Sequence, residues 1–311
     1  MRSEVGVDQA EGLRRLLVRN QTQVVTVVAG KAGVGRTSVT INLAMALARA
    51  GKDVLVLDEN HAPDNLLDRL GLFARHDLLD VAQGKCAPGA AVLKTRGFAV
   101  LPSARAMHAL AGLKQAEQQR LEDALTGASH GVDVMLVDAA MPVLSRAEGL
   151  VGQAAVSSSL ASGTTLLVVV DATASGITES YALIKRLALE NARMQFGIVV
   201  NKVDDEQAAK MVFDNMAKVA RRNLAARLEY LGCIPLDDRL KRATQLGRPV
   251  VEAFPAAASA RACLALSERL LSLPLREDEA GNGVRSIVRS LLRQVAQPLQ
   301  RHSREMAHVV N

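Results

Sequence analysis

The clearest chemistry in the sequence lies in one short stretch, Gly30-Lys31-Ala32-Gly33-Val34-Gly35-Arg36-Thr37-Ser38. Its glycines let the backbone curl tightly enough for bare N–H groups to converge on phosphate oxygens. Lys31 and Arg36 add positive charge, and Thr37 offers a hydroxyl suited to Mg2+. The spacing Gly, four residues, Gly, cation, Thr is that of a phosphate-binding loop, with Arg36 where lysine is usual. No second constellation is readable. His61, His76, His108, His130, His302 and His308 are scattered, and no Ser/His/Asp or Cys/His grouping stands out.

Such a loop works between a strand and a helix, because the helix that follows adds the positive end of its dipole. The apolar, β-branched run Val24–Ala29 supplies the strand, and a helical pattern over Val39–Ala50, ended by Gly51, supplies the helix. Similar runs recur at Val54–Leu57, Phe98–Leu101, Val134–Val137, Leu166–Val170, Phe196–Val200 and Tyr230–Ile234. They are nearly continuous, as strands read when both faces are covered. Helical patterns over Glu179–Glu190 and Lys210–Leu228 fall between later runs. The expected fold class is α/β, a mainly parallel twisted sheet with helices on both faces and helical extensions at each end.

The 311 residues divide by composition into a polar N-terminal helix region (1–20), a main body (21–275), a polar Gly-containing linker (276–283) and a basic tail with an amphipathic helix (284–311). Aromatics are only 2% and Trp is absent, which argues against base stacking on aromatic platforms. Cys86, Cys233 and Cys263 lack metal-ligand spacing and fit a reducing compartment as small buried hydrophobes. The start of the chain carries charge rather than an apolar signal core, and no run approaches a bilayer span, so a cytoplasmic location is expected.

The formal charge of +6 is uneven: residues 281–311 hold Arg285, Arg289, Arg293, Arg301 and Arg304 against Glu305, or 5 − 1 = +4. Within this tail Ile287, Val288, Leu291, Leu292 and Val295 share one helical face, with Arg285, Arg289 and Arg293 on another. The pattern is that of an interfacial membrane helix meeting anionic headgroups at the inner leaflet of the cytoplasmic membrane. Packing of the same apolar face on the body is a second reading. DNA is a third, since basic residues alone do not separate lipid phosphate from nucleic-acid phosphate.

The loop Gly30–Thr37 resembles the deviant Walker A loop of MinD/ParA-type ATPases, with Lys31 on the family's signature lysine. The resemblance runs over roughly residues 22–272 and implies ATP and Mg2+ as cofactors and a nucleotide-sandwich homodimer, with Lys31 reaching the partner's phosphates. It implies Asp58 and Asp138 beside Mg2+ with Thr37, position 60 in the hydrolytic switch, and Asn201 on the adenine base. The runs Thr178–Lys185 and Leu228–Pro235 resemble the FlhG (also called FleN) branch, the MinD-like regulators of flagellar number and placement. The element Asp8-Gln9-Ala10-Glu11-Gly12-Leu13-Arg14 is similar to that branch's Asp-Gln-Ala-x-x-Leu-Arg. There it implies docking on an FlhF-type GTPase through Asp8, Gln9, Ala10, Leu13 and Arg14, with Gln9 orienting the attacking water. A flagellar transcription activator is a further partner the family implies.

The sequence departs from the family at the chemistry. Arg36 is a larger, planar cation. Ala32 replaces a glycine and is expected to restrict a tight backbone position. Asn60 replaces the second Asp of the switch and cannot take a proton at neutral pH. Ala139-Ala140-Met141-Pro142 lacks the glycine often found after the second acid. The catalytic set Lys31, Asn60 and Asp138 therefore predicts weak or absent hydrolysis. A degenerate family member acting by binding alone stays open, as does a ParA-like partitioning or cargo-positioning ATPase, which leaves Asp8–Arg14 unexplained.

Overall fold

The computed structural model describes residues 22–61, 63–140, 165–190, 195–224 and 226–273, together with Val284, Val288, Arg289 and Leu292. The expectations for Asp8–Arg14, for the linker at 276–283, and for Arg285, Ile287, Leu291, Arg293 and Val295 lie outside these residues.

The chain runs β1 (Gln23–Ala29), α1 (Arg36–Arg49), β2 (Val54–Asp58), α2 (Leu66–Leu70), α3 (Leu78–Ala82), α4 (Pro88–Ala91), β3 (Leu93–Lys94), β4 (Ala99–Pro102), α5 (Ala104–Ala109) and α6 (Gln115–Ala128). It continues as β5 (Val134–Asp138), β6 (Thr165–Asp171), α7 (Ala174–Glu190), β7 (Gln195–Val203), α8 (Glu206–Leu224), β8 (Arg227–Pro235), α9 (Asp238–Gln245), α10 (Val250–Ala253) and α11 (Ala258–Ser272). The described strands form one sheet in the order β3-β4-β2-β5-β1-β6-β7-β8. All pairs are parallel except the short β3, which lies antiparallel on β4.

The β-branched runs become strands because both faces are buried. Along β1, Val25, Val27 and Ala29 enter the layer shared with α1 and α11. Val24 and Val28 point to the opposite face, where α6 covers one half and α7 and α8 the other. The first helix ends as its sequence dictates, since Gly51 takes φ +78°, a conformation costly for any residue with a Cβ. The expected helix over Lys210–Leu228 is too long. α8 stops at Leu224, and from Ala226 to Glu229 burial alternates, which places Leu228 in the edge strand β8. Leucine fits either period, and the open edge of β7 decides it. Cys263 is buried, whereas Cys86 and Cys233 are only half-buried. Among the described residues no helix is long and apolar enough to cross a membrane.

The parallel strands end on one side. Their last residues include Ala29, Asp58, Asp138, Asp171 and Pro235, with Asn201 two residues before the end of β7, and β1 sits between β5 and β6 where the strand order reverses. Ligands of open parallel sheets bind at this edge.

Candidate nucleotide-binding site

The phosphate loop leaves β1 under tight steric limits. A Cβ on Gly30 would lie 2.3 Å from the Glu179 carbonyl group of α7, so only glycine lets the loop rest on that backbone. Gly35 has φ +97°, and a Cβ there would meet Asn201 Nδ2 at 2.2 Å. Asn201 Nδ2 donates to the Val34 carbonyl at 2.7 Å, and Lys202 Nζ donates to the Gly33 carbonyl at 2.6 Å. β7 therefore holds the loop from outside. Ala32 is exposed and is not among the positive-φ residues, so the expected backbone restriction does not arise. α1 begins just after Gly35 with no acidic residue in its first turn, which suits an anion.

The loop forms one wall of a cleft of about 490 Å³. Asn60, Pro63 and Asp64 form a second side, and Pro235, Leu236, Leu240 and Thr244 a third. The volume falls in the range of small-molecule sites, about 300–1,000 Å³. On the third side Pro235, Leu236 and Leu240 offer an apolar surface for a base, and the glycine loop a cradle for phosphates.

Beneath the loop, Asp138 at the end of β5 is fully buried. Its Oδ1 accepts from Arg36 Nε at 2.8 Å and from Thr40 Oγ1 at 3.2 Å. Its Oδ2 accepts from Thr37 Oγ1 at 2.8 Å. Asp58 lies beside it in register on β2. Burial first, then the charge of Asp138, pushes the Asp58 carboxyl up from the ordinary value of 3.8 to about 7, although the Asn60 N–H donates to its Oδ1 at 3.0 Å. Lys31 turns back on its own subunit, where its Nζ donates to Ser175 Oγ at 2.6 Å in the first turn of α7.

Residues 25–250 match the CobQ/CobB/MinD/ParA nucleotide binding domain. The chain belongs to this family. It is similar to the antiactivator FleN of Pseudomonas aeruginosa, at 34% identity over 261 residues, which is 84% of this chain and 90% of FleN. It is also similar to the flagellum site-determining protein YlxH of Helicobacter pylori, at 25% identity over 72% of this chain and 73% of YlxH. Among solved structures, the cell division ATPase MinD of Pyrococcus furiosus superposes with a TM-score of 0.61 and 26% identity, covering 81% of this chain and 99% of that one.

Within this MinD/ParA-type frame, the structure brings Lys31–Ser38, Asn60 and Asn201 to one cleft, with Asp138 behind its Arg36 and Thr37 and Asp58 beside Asp138 in register. The cleft and glycine cradle fit a nucleotide. The acid at the end of β5 is already engaged, because Arg36 Nε donates to one Asp138 oxygen and the Thr37 hydroxyl to the other, so a cation's water would have to share this carboxylate with them. Lys202 and Lys241 also line the cleft. Lys202 adjoins Asn201 in sequence and takes φ +58°, a signal visible only in the backbone.

Outside the cleft lining, Val284 and Val288 are buried in the cluster of Leu78, Leu121, Leu125 and Met135, and Leu292 packs against it. Arg289 Nε donates to Glu122 Oε1 at 2.8 Å. The described part of the C-terminal helix thus follows the packing reading. Contact of Val288 and Leu292 with a membrane would require the helix to leave this surface.

Proposed function

We propose that this protein is a MinD-like, nucleotide-binding regulator of flagellar number and placement. The observation that carries the reading is the glycine-cradled cleft at residues 30–38 in a chain resembling FleN over most of its length. Its nucleotide is ATP, with phosphates on the loop backbone and α1, and the base toward Leu236, Leu240 and Asn201. Lys31 exchanges Ser175 for the phosphates of a second copy in a homodimer. Asp8–Arg14 stimulates an FlhF-type GTPase, with Gln9 at the attacking water. The C-terminal helix leaves the body to reach the inner leaflet of the cytoplasmic membrane, and a flagellar transcription activator is the further partner.

Turnover in this reading is slow or absent. Asn60 cannot take a proton from water, and Asp138 is occupied by Arg36. The protein then signals by which nucleotide it holds. The test adds the purified chain to an FlhF-type GTPase and measures GTP hydrolysis, alongside flagellar counts in a deletion strain. The expected result is at least about tenfold stimulation. It should vanish in Gln9→Ala, and the deletion should give abnormal counts that the wild-type gene restores. Normal counts in the deletion strain would overturn the flagellar assignment, and unchanged GTP hydrolysis would overturn the activator role.

A further inference from the structure

We infer that the Arg36 guanidinium takes the bridging place of a divalent cation, so that this site binds a nucleoside di- or triphosphate without one. The inference rests on the nucleotide reading of the cleft and specifies the ionic form of its ligand.

A cation at such a site has two tasks. It neutralises the acid at the strand end, and it neutralises phosphate oxygens across from it. Arg36 already performs the first. Its Nε lies 2.8 Å from Asp138 Oδ1, with side-chain exposures of 7% and 0%. Thr37, whose hydroxyl would otherwise face a metal, donates to Oδ2 of the same carboxylate, and Thr40 adds a contact to Oδ1. A metal-bound water approaching Asp138 would compete with these donors for the few acceptor sites the carboxylate has left.

The second task follows from the shape of arginine. The Nε contact uses one of five N–H donors, and the four on the terminal nitrogens can take phosphate oxygens. Arg36 also lines the cleft, at the first residue of α1 where the loop amides converge. Lysine at this position has a single ammonium group. Drawn to phosphate, it leaves the acid to be neutralised by something else. Arginine can hold both at once.

The rest of the cleft agrees. Lys31, Lys202 and Lys241 line it as further cations. Of its two acids, Asp64 is ion-paired with Arg69, and Asp237 is taken by the Ser259 hydroxyl and amide. The surroundings favour a polyanion bearing its full charge.

The experiment titrates the full chain with ADP by calorimetry, once in excess MgCl2 and once in EDTA, for wild type and Arg36→Lys. Wild type is expected to bind in both, with dissociation constants within about threefold of each other, whereas Arg36→Lys should tighten at least about tenfold on adding Mg2+. As a second measurement on wild type alone, the electron paramagnetic resonance signal of free Mn2+ should show no additional loss when protein is added to MnCl2 and ADP. Wild-type binding weakened tenfold or more by EDTA, or stoichiometric loss of the Mn2+ signal, would overturn the inference and leave the nucleotide reading intact. Absence of ADP binding in either buffer would remove that reading and the inference with it. Should Arg36→Lys fail to fold, the two wild-type measurements still decide.

Discussion

Two arginines in this protein meet a carboxylate through Nε at the same distance, 2.8 Å, yet they hold different things together. Arg36 and Asp138 have side-chain exposures of 7% and 0%, within the elements that build the cleft. Arg289 and Glu122 have exposures of 52% and 6%, at the seam between the body and the C-terminal helix. Distance alone therefore does not rank the pairs. Where both partners are dry, removing one strands a charge that water cannot reach. Where one partner is half in water, solvent and salt stand ready to replace it. The first pair is suited to a permanent part of the site, and the second to a contact that opens.

The most severe way to break this contrast is Arg36→Ala. Asp138 would keep only the hydroxyls of Thr37 and Thr40 beside a buried negative charge, with Asp58 alongside. The expected loss is roughly 3–5 kcal/mol of unfolding free energy. Urea unfolding monitored by far-UV circular dichroism measures it. A loss under about 1 kcal/mol would mean the pair is no stronger than a surface bridge.

A smaller effect tests whether Arg36 serves Asp138 in preference to its neighbour. Asp58 holds its proton up to about pH 7 in the fold, against the ordinary value of 3.8. Below the ordinary value both states are protonated and Asp58→Asn changes little. As pH rises from there, the unfolded chain releases the proton while the folded chain keeps it, so wild-type stability falls until the folded carboxyl also ionises. Asp58→Asn should therefore stabilise progressively between about pH 4 and pH 7, by at most roughly 4 kcal/mol. Melting temperatures of the two proteins at pH 4.5 and pH 8 give the comparison. An equal gap at both values would show that Asp58 ionises normally and that Arg36 is shared between the two acids.

How much of this contrast was legible beforehand depends on sequence distance. The loop Gly30–Ser38 and the strand Val24–Ala29 read directly, because a phosphate cradle and a doubly buried strand each impose a local pattern, and β1 spans Gln23–Ala29. Arg36 was legible as a departure, but its partner was not. Asp138 lies 102 residues away, and only the register that places β5 between β1 and β2 brings it beneath the loop. Short elements such as α2, α3 and α9 were missed because a single turn or two gives too few periods to read. The helix expected over Lys210–Leu228 ran into β8 because Leu228 suits both a helix face and an edge strand. At the C-terminus the amphipathic pattern was plain, but an apolar face does not name what covers it. Here Leu78, Leu121 and Met135 do so for Val284 and Val288.

The gentlest test acts on the second pair and sharpens the comparison through salt. Arg289→Ala removes a guanidinium that is half exposed, so screening by water already limits what the pair contributes. The expected loss is about 0.5–1 kcal/mol at low ionic strength. Raising salt to about 1 M contracts the Debye length to roughly 3 Å and should shrink the difference between wild type and variant toward zero. The same salt should change the difference between wild type and Arg36→Ala far less, since 7% and 0% exposure leave that pair little screening by bulk solvent. Urea unfolding of the three proteins at both salt levels makes the comparison in one experiment. If the Arg289 difference persists at high salt, this contact is as shielded as the one under the phosphate loop. The C-terminal helix would then be a fixed part of the body, and release to a membrane would need more than the loss of one ion pair.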